Sequence, residues 1–216
     1  WQHRASIFIK ALNLVRGPWR DRLNASTMLG QSKACFQAEI DAICEVCDFF
    51  SYNLSVMQEI YEFQPKQIPG AWNRMEYRGL DGFVLAISPF NFTALGANLS
   101  CAPAIMGNTV IWKPARTAML SNYYFYLMLL EAGLPPGVIN FLPASGSAVS
   151  RLIVPHPDLG GLNFIGSDTT FSTLWNNIGN NISTYNQYPR MVGETGRKDF
   201  IFVHPSADIP TLISAM

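Results

Sequence analysis

Several polar residues in the second half of the sequence directly follow runs of apolar residues, and each carries a group that could do chemistry. Asn91 offers an amide that could donate a hydrogen bond to a developing oxyanion. Lys113 offers an ammonium group that could bind ribose hydroxyls or offset phosphate charge. Gly166 and Ser167 precede a predicted helix, whose first N–H groups could hold a pyrophosphate. Glu194 places a carboxylate at a predicted turn.

Each of these residues also has a plainer interpretation. Asn91 could merely cap the helix predicted to begin near Thr93. Lys113 could be a solvated charge, the Gly-Ser pair could be an ordinary helix cap, and Glu194 could be an exposed surface carboxylate. The functional interpretation is favoured only if all of these groups meet at one place in the fold.

The apolar run before Asn91 has the composition of a strand buried on both faces. Phe83–Ile87 contains five consecutive apolar residues and follows Gly82. Pro89 ends the strand because proline cannot donate a ladder hydrogen bond and disfavours helical geometry in the residue before it. The residues that follow are therefore predicted to lie in a turn at the carboxyl end of a strand, where open α/β sheets bind ligands.

A repeating pattern of strand, turn and helix continues to the end of the sequence. Strands are predicted at 83–87, 109–113, 138–142, 161–165, around 191 and at 199–203, with helices near 93–106, 117–132, 147–153 and 167–182 and another from about 209. Buried strands that alternate with helices predict an α/β fold with a doubly wound parallel sheet. Residues 1–63 are predicted to form two or three helices, 64–81 a connector, and 82–216 the α/β domain.

Composition excludes some classes of partner. Fifteen basic residues balance fifteen acidic residues, so neither nucleic acid nor an anionic membrane is expected as the main partner. No apolar window is long enough to predict a transmembrane helix. The sequence begins with Trp1 and resembles neither a signal nor a transit peptide there, so we expect that its original beginning has been removed or was not determined. Only 14% of residues are charged and 49% are hydrophobic, which indicates a large core or a surface covered by a partner.

The four cysteines predict no metal site. Cys44 and Cys47 form a C-x-x-C pair, but they lie in a predicted amphipathic helix, and three-residue spacing would place both on its apolar face. No second cysteine pair or nearby histidine completes a zinc site, so both are expected to be core residues.

Taken together, four motifs resemble those of the aldehyde dehydrogenase superfamily in order and spacing. They are SPFNFT at 88–93, WKPA at 112–115, FIGS at 164–167, and GETG at 193–196 with Lys198. The residues of these motifs are most similar to those of the mitochondrial branch that oxidises glutamate γ-semialdehyde, the delta-1-pyrroline-5-carboxylate dehydrogenases. The resemblance runs essentially over the whole sequence, and it implies a Rossmann-like NAD-binding domain with the N-terminal helices packed on it.

The resemblance also implies roles for individual residues. Asn91 would stabilise the oxyanion, and Glu194 would be the general base that activates water. The NAD contacts would be Ser88, Lys113, Gly166, Ser167, Asp168, Thr169 and Thr170. It further implies an aldehyde substrate, a location in the mitochondrial matrix, and a homo-oligomeric full-length protein.

The sequence departs from the family pattern in three places. The family's nucleophilic cysteine lies beyond the glutamate, and no such motif precedes Met216, so this chain alone is expected to be inactive. Arg197 stands where the family has a glycine, which could reshape the loop that carries Glu194. Phe171 replaces a glycine common in the wider superfamily, although it suits the glutamate-semialdehyde branch.

Two other interpretations remain open at this point. The first is a shortened, catalytically inactive relative that serves as a nucleotide-binding or structural subunit of a larger assembly. It draws on the absent nucleophile, on Arg197 and on the high apolar content. The second is an unrelated doubly wound domain that binds another nucleotide, because a fold does not by itself determine function.

Overall fold

The fold was obtained as a computed structural model, which describes residues 1–196 and 200–215. An N-terminal group of helices precedes a region in which strands and helices alternate. The helices are α1 (Gln2–Arg16), α2 (Arg20–Gln31), α3 (Cys35–Ala38), a π-helical stretch (Glu39–Cys44), α4 (Glu45–Glu62), α5 (Thr93–Ile105), α6 (Met119–Ala132), α7 (Gly146–Leu152), α8 (Asp168–Asn180), a 3₁₀ turn (Ile182–Thr184) and α9 (Ile209–Ala215). The strands are β1 (Phe83–Ile87), β2 (Thr109–Lys113), β3 (Ile139–Phe141), β4 (Leu159–Gly166) and β5 (Arg190–Thr195).

The five strands in the described part of the chain form one parallel sheet in the order β3-β2-β1-β4-β5. The apolar strand β1 lies at the centre, with β2 and β4 as its neighbours. The chain therefore leaves β1 in one direction towards β3 and later returns to the other side of β1 through β4. The α/β fold with a doubly wound parallel sheet and a preceding helical region is confirmed.

Helices cover both faces of the sheet. Because successive strand residues point to opposite faces, Val84 and Ala86 join one core and Leu85 joins another. The larger core contains residues of α5, α6 and the N-terminal helices. The smaller core contains residues of α7 and α8.

The N-terminal helices pack directly on the α/β region. Rings of Phe8 and Phe50 lie 5.5 Å apart, and Phe50 lies 6.0 Å from Phe125 on α6. Phe125 in turn lies 6.4 Å from Trp112 in the sheet. Through these edge-to-face contacts, one continuous hydrophobic core extends from α1 to the sheet. The division into domains at 63 and 82 stays a prediction.

Two sequence-based expectations about local structure are wrong. Residues 200–203 form no strand, and Phe200 and Phe202 are 85% and 88% exposed; residue 199 lies outside the described part of the chain. An apolar run becomes a strand only when another strand pairs with it, and no described residue does so here. Cys44 is exposed while Cys47 is buried; Cys44 ends the π-helical stretch Glu39–Cys44, whose wider turn departs from the α-helical spacing that the prediction assumed.

No helix in the described residues is both long and apolar enough to cross a membrane.

Candidate active site

The candidate residues meet at the carboxyl edge of the sheet. Ile87, the last residue of β1, pairs with Lys113 of β2 and with Phe164 of β4. On the other side of β4, Ile165 pairs with Glu194. Since all these strands are parallel, their carboxyl ends lie along one edge. The structure therefore brings the ends of β1, β2, β4 and β5 together, with the predicted site residues at or just beyond them.

Ser88 joins the ends of β1 and β2. Its backbone N–H donates to the Lys113 carbonyl at 3.2 Å, and its Oγ accepts a hydrogen bond from Trp112 Nε1 at 3.0 Å. Only 3% of Ser88 is exposed, so its hydroxyl is buried between the ends of β1 and β2. Lys113 is partly buried beside it, and this burial lowers the pKa of its ammonium group below the usual value of 10.5. An anionic ligand nearby would favour the charged form of Lys113.

Asn91 lies beyond β1 with its side chain exposed. The N-cap of α5 is Phe92, and no side chain forms a capping hydrogen bond there, so the plainer interpretation of Asn91 as a helix cap is wrong. The Asn91 side chain forms no hydrogen bond with any residue in 1–196 or 200–215. The amide is thus available to a ligand at the sheet edge.

Ser167 caps helix α8. Its Oγ accepts from the Thr170 N–H at 3.2 Å and lies 2.8 Å from Thr170 Oγ1, to which it donates. Asp168 Oδ1 accepts from the Thr169 N–H at 2.8 Å. The plainer interpretation of the Gly-Ser pair as a helix cap is therefore correct for the side chain. A pyrophosphate at this helix start would have to share or replace the two bonds that the N–H groups of Thr169 and Thr170 donate.

Glu194 lies within a strand rather than at a turn, which corrects the sequence-based expectation. β5 extends through Thr195, which pairs with Gly166, and the N–H of Gly196 also donates to the Gly166 carbonyl at 3.0 Å. The glycines on either side of Glu194 suggested a turn, but pairing with β4 keeps the segment extended. Glu194 is exposed on this edge strand. Arg197, the predicted departure next to it, lies outside the described residues.

Phe171 packs against the backbone beside Glu194, a contact that was not predicted from the sequence. Its ring stacks on Phe164 with the centroids 5.6 Å apart. A side-chain carbon added to Gly193 would overlap the Phe171 ring. Gly193, the strand residue before Glu194, therefore lies directly against the ring of Phe171. Phe171 is the residue that stands where the wider superfamily commonly has glycine. That departure was the available sequence signal.

None of the four cysteines, which all lie in the described residues, follows the end of a strand. Cys101 is fully buried in α5, and burial raises the pKa of its thiol to about 12. Cys101 thus stays a thiol at neutral pH, whereas the thiolate is the nucleophilic form. Cys35, Cys44 and Cys47 belong to the N-terminal helices. The candidate groups at the described strand ends are therefore an amide, an ammonium group and a carboxylate, and no cysteine lies at these strand ends.

Comparison with known proteins supports the sequence resemblance. The family model described as the aldehyde dehydrogenase family matches residues 1–216. The delta-1-pyrroline-5-carboxylate dehydrogenase of Agaricus bisporus is 50% identical over 210 residues, which cover 97% of this chain and 38% of the relative. The mitochondrial enzyme of that name from Bos taurus is 49% identical over 211 residues, covering 98% of this chain and 38% of the relative.

Solved structures give the same picture. The delta-pyrroline-5-carboxylate dehydrogenase from Mycobacterium tuberculosis bound with NAD is 52% identical, with a TM-score of 0.93, over 99% of this chain and 40% of that chain. The 1-pyrroline-5-carboxylate dehydrogenase from Thermus with bound NAD is 29% identical, with a TM-score of 0.80, over 92% of this chain and 39% of that chain. The chain therefore spans about two fifths of the length of these relatives.

Proposed function

Because this chain belongs to the aldehyde dehydrogenase family, we propose that it supplies the cofactor-binding part of an NAD-dependent enzyme that oxidises glutamate γ-semialdehyde to glutamate in proline breakdown. One observation carries the proposal: the carboxyl ends of β1, β2, β4 and β5 gather Asn91, Lys113, Ser167 and Glu194 along one edge of a parallel sheet. That edge is where doubly wound sheets bind dinucleotides. The names of the relatives support the choice of aldehyde.

The residues at this edge fit an NAD molecule. Lys113 offers a cation in a partly desolvated position, where its hydrogen bonds to ribose hydroxyls or its charge beside a phosphate would be stronger than in water. Ser88 holds the strand ends at a fixed spacing through Trp112. Gly166 carries no side chain that would obstruct a ligand, and the run from Ser167 to Thr170 begins a helix whose positive end faces the same edge. When bound, NAD would supply the hydride acceptor.

Asn91 would stabilise negative charge in the reaction, and Glu194 would accept a proton. The unbonded Asn91 amide would donate a hydrogen bond to the oxyanion that forms when a thiolate attacks the aldehyde carbon. The Glu194 carboxylate would accept a proton from the water that later hydrolyses the thioester. We place the thiolate in a part of the longer protein that this chain does not cover, since none of its four cysteines suits the role.

The same reasoning extends to location and partners. Mammalian relatives are named as mitochondrial enzymes, so we place this protein in the mitochondrial matrix. Its partner in the reaction is a small aldehyde, and we expect the full-length protein to be a homo-oligomer. The alternative of a catalytically inactive nucleotide-binding subunit is not favoured, because the named relatives are dehydrogenases.

The test is an assay of the full-length protein. Purified protein is mixed with NAD and glutamate γ-semialdehyde, and NADH formation is followed by absorbance. Turnover that exceeds the rate with acetaldehyde supports the proposal. Equal turnover of both aldehydes would reject the specific substrate, and no NADH with either would reject the proposed activity.

A further inference from the structure

A buried group of hydroxyl and amide side chains surrounds Thr93, two residues after Asn91. Thr93 Oγ1 lies 2.8 Å from Thr27 Oγ1, 2.8 Å from Gln31 Nε2 and 2.9 Å from Ser121 Oγ. Thr27, Thr93 and Ser121 are at most 1% exposed. We call these four residues (Thr27, Gln31, Thr93 and Ser121) the Thr93 cluster. It joins α2, the start of α5 and α6 at one point.

The directions of these hydrogen bonds follow from the chemistry of a hydroxyl group. Thr93 donates its single hydrogen to Ser121, and Ser121 donates to the Ala118 carbonyl at 3.3 Å. Thr93 must therefore accept from both Gln31 and Thr27. Gln31 Nε2 also donates to Ser121 Oγ at 3.2 Å, so one side chain of α2 bridges α5 and α6. The Thr93 hydroxyl is the centre of the cluster.

A second contact holds the residue between Asn91 and Thr93. Lys33 Nζ lies 3.7 Å from the centroid of the Phe92 ring, a cation–π arrangement. Lys33 also pairs with Asp41, which fixes its position from the other side. Phe92 is thus held by Lys33, which lies in the loop between α2 and α3, and Thr93 is held partly by Thr27 and Gln31 of α2.

These contacts fix the backbone that carries Asn91. Helix α5 has no side-chain hydrogen bond at its N-cap, so its first turn is held by other means. On the preceding side, Ser88 is locked into the end of β1 by Trp112. The Asn91 side chain itself has no hydrogen-bond partner in the described residues. The turn that carries Asn91 is therefore held at both ends, which fixes the direction of its Cα–Cβ bond.

We propose that Gln31 and Thr93 are positioning residues for the Asn91 amide, so that the N-terminal helices control the geometry of the oxyanion site. The inference rests on the proposed function. Gln31 extends from α2 to the hydroxyl groups of both Thr93 and Ser121, so one side chain links α2 to the first turn of α5 and to α6.

Two substitutions in the full-length protein test the proposal. Thr93→Val removes the central hydroxyl and keeps the side-chain shape, while Gln31→Met removes the bridging amide. Each should lower kcat for aldehyde oxidation by about tenfold or more, because small displacements of a catalytic group have effects of this size. KM for the aldehyde and Kd for NAD should stay close to wild type. Thr93→Ser, which keeps the hydroxyl, should restore kcat.

The matched control is Ser100→Ala. Ser100 is fully buried in the same helix, and its hydroxyl donates to backbone carbonyls within that helix rather than towards the turn. It should lower Tm and leave kcat unchanged. Unchanged kcat in Thr93→Val and Gln31→Met, or an equal loss in Ser100→Ala, would overturn the positioning role while the proposed function stands. A wild-type protein that does not oxidise aldehydes would overturn both proposals.

Discussion

Replacing Asn91 with Ala in the full-length protein should separate catalysis from folding. The Asn91 side chain is exposed, caps no helix and has no hydrogen-bond partner in the described residues. Its removal leaves no buried group unpaired, so the free energy of unfolding should change by no more than about 0.5 kcal/mol. Loss of an oxyanion donor, in contrast, should cost about 3–4 kcal/mol of transition-state stabilisation, which lowers kcat by about 100- to 1000-fold.

The assay measures kcat and KM from NADH formation, together with Tm and the Kd for NAD. Asn91→Asp provides a second variant of nearly equal size, and its carboxylate should repel an oxyanion and lower kcat at least as far. Asn180→Ala, at the exposed end of α8, is the control and should behave as wild type. The oxyanion role of Asn91 is refuted if Asn91→Ala keeps kcat within about threefold of wild type, or if its loss of activity accompanies an equal loss of folded protein.

Further predictions concern the sheet edge and the cysteines. Burial lowers the pKa of Lys113, so between that lowered pKa and the ordinary value of 10.5 the unfolded state binds more protons than the folded state. The free energy of unfolding of the wild-type protein should therefore rise with pH in that range. Denaturant titrations of Lys113→Met should show a smaller rise. Gly193→Ala should lower Tm because its new carbon overlaps the Phe171 ring. The decrease in Tm should be smaller in a Phe171→Ala background, and an equal decrease there would contradict this packing. When the native protein is labelled with iodoacetamide and analysed by mass spectrometry, exposed Cys35 should react while Cys101 stays unmodified. Rapid labelling of Cys101 would contradict its burial.

Strand positions were predictable where apolar runs end at glycine or proline. Phe83–Ile87 and Thr109–Lys113 have the predicted bounds, because Gly82 and the prolines after each strand interrupt the pattern on either side. At residues 200–203 the same kind of run forms no strand, since local composition does not say whether a partner strand is present.

The strand ends that carry the candidate residues were predictable, but the local conformations of these residues were less so. Glycines around Glu194 suggested a turn, whereas pairing with β4 keeps the segment extended. The capping interpretation of Asn91 failed because the helix begins one residue later in the chain than an Asn91 cap requires. The Thr93 cluster was not predictable, because Thr27 and Ser121 lie 66 and 28 residues away from Thr93 in sequence and meet it only in the folded chain.

The most direct test is a crystal structure of the full-length protein with NAD. We predict that the dinucleotide lies along the carboxyl ends of β1, β2 and β4, with a ribose beside Lys113, the pyrophosphate near Ser167, and the nicotinamide facing Asn91 and Glu194. A dinucleotide bound on another face of the sheet, or with its nicotinamide turned away from Asn91 and Glu194, would contradict it.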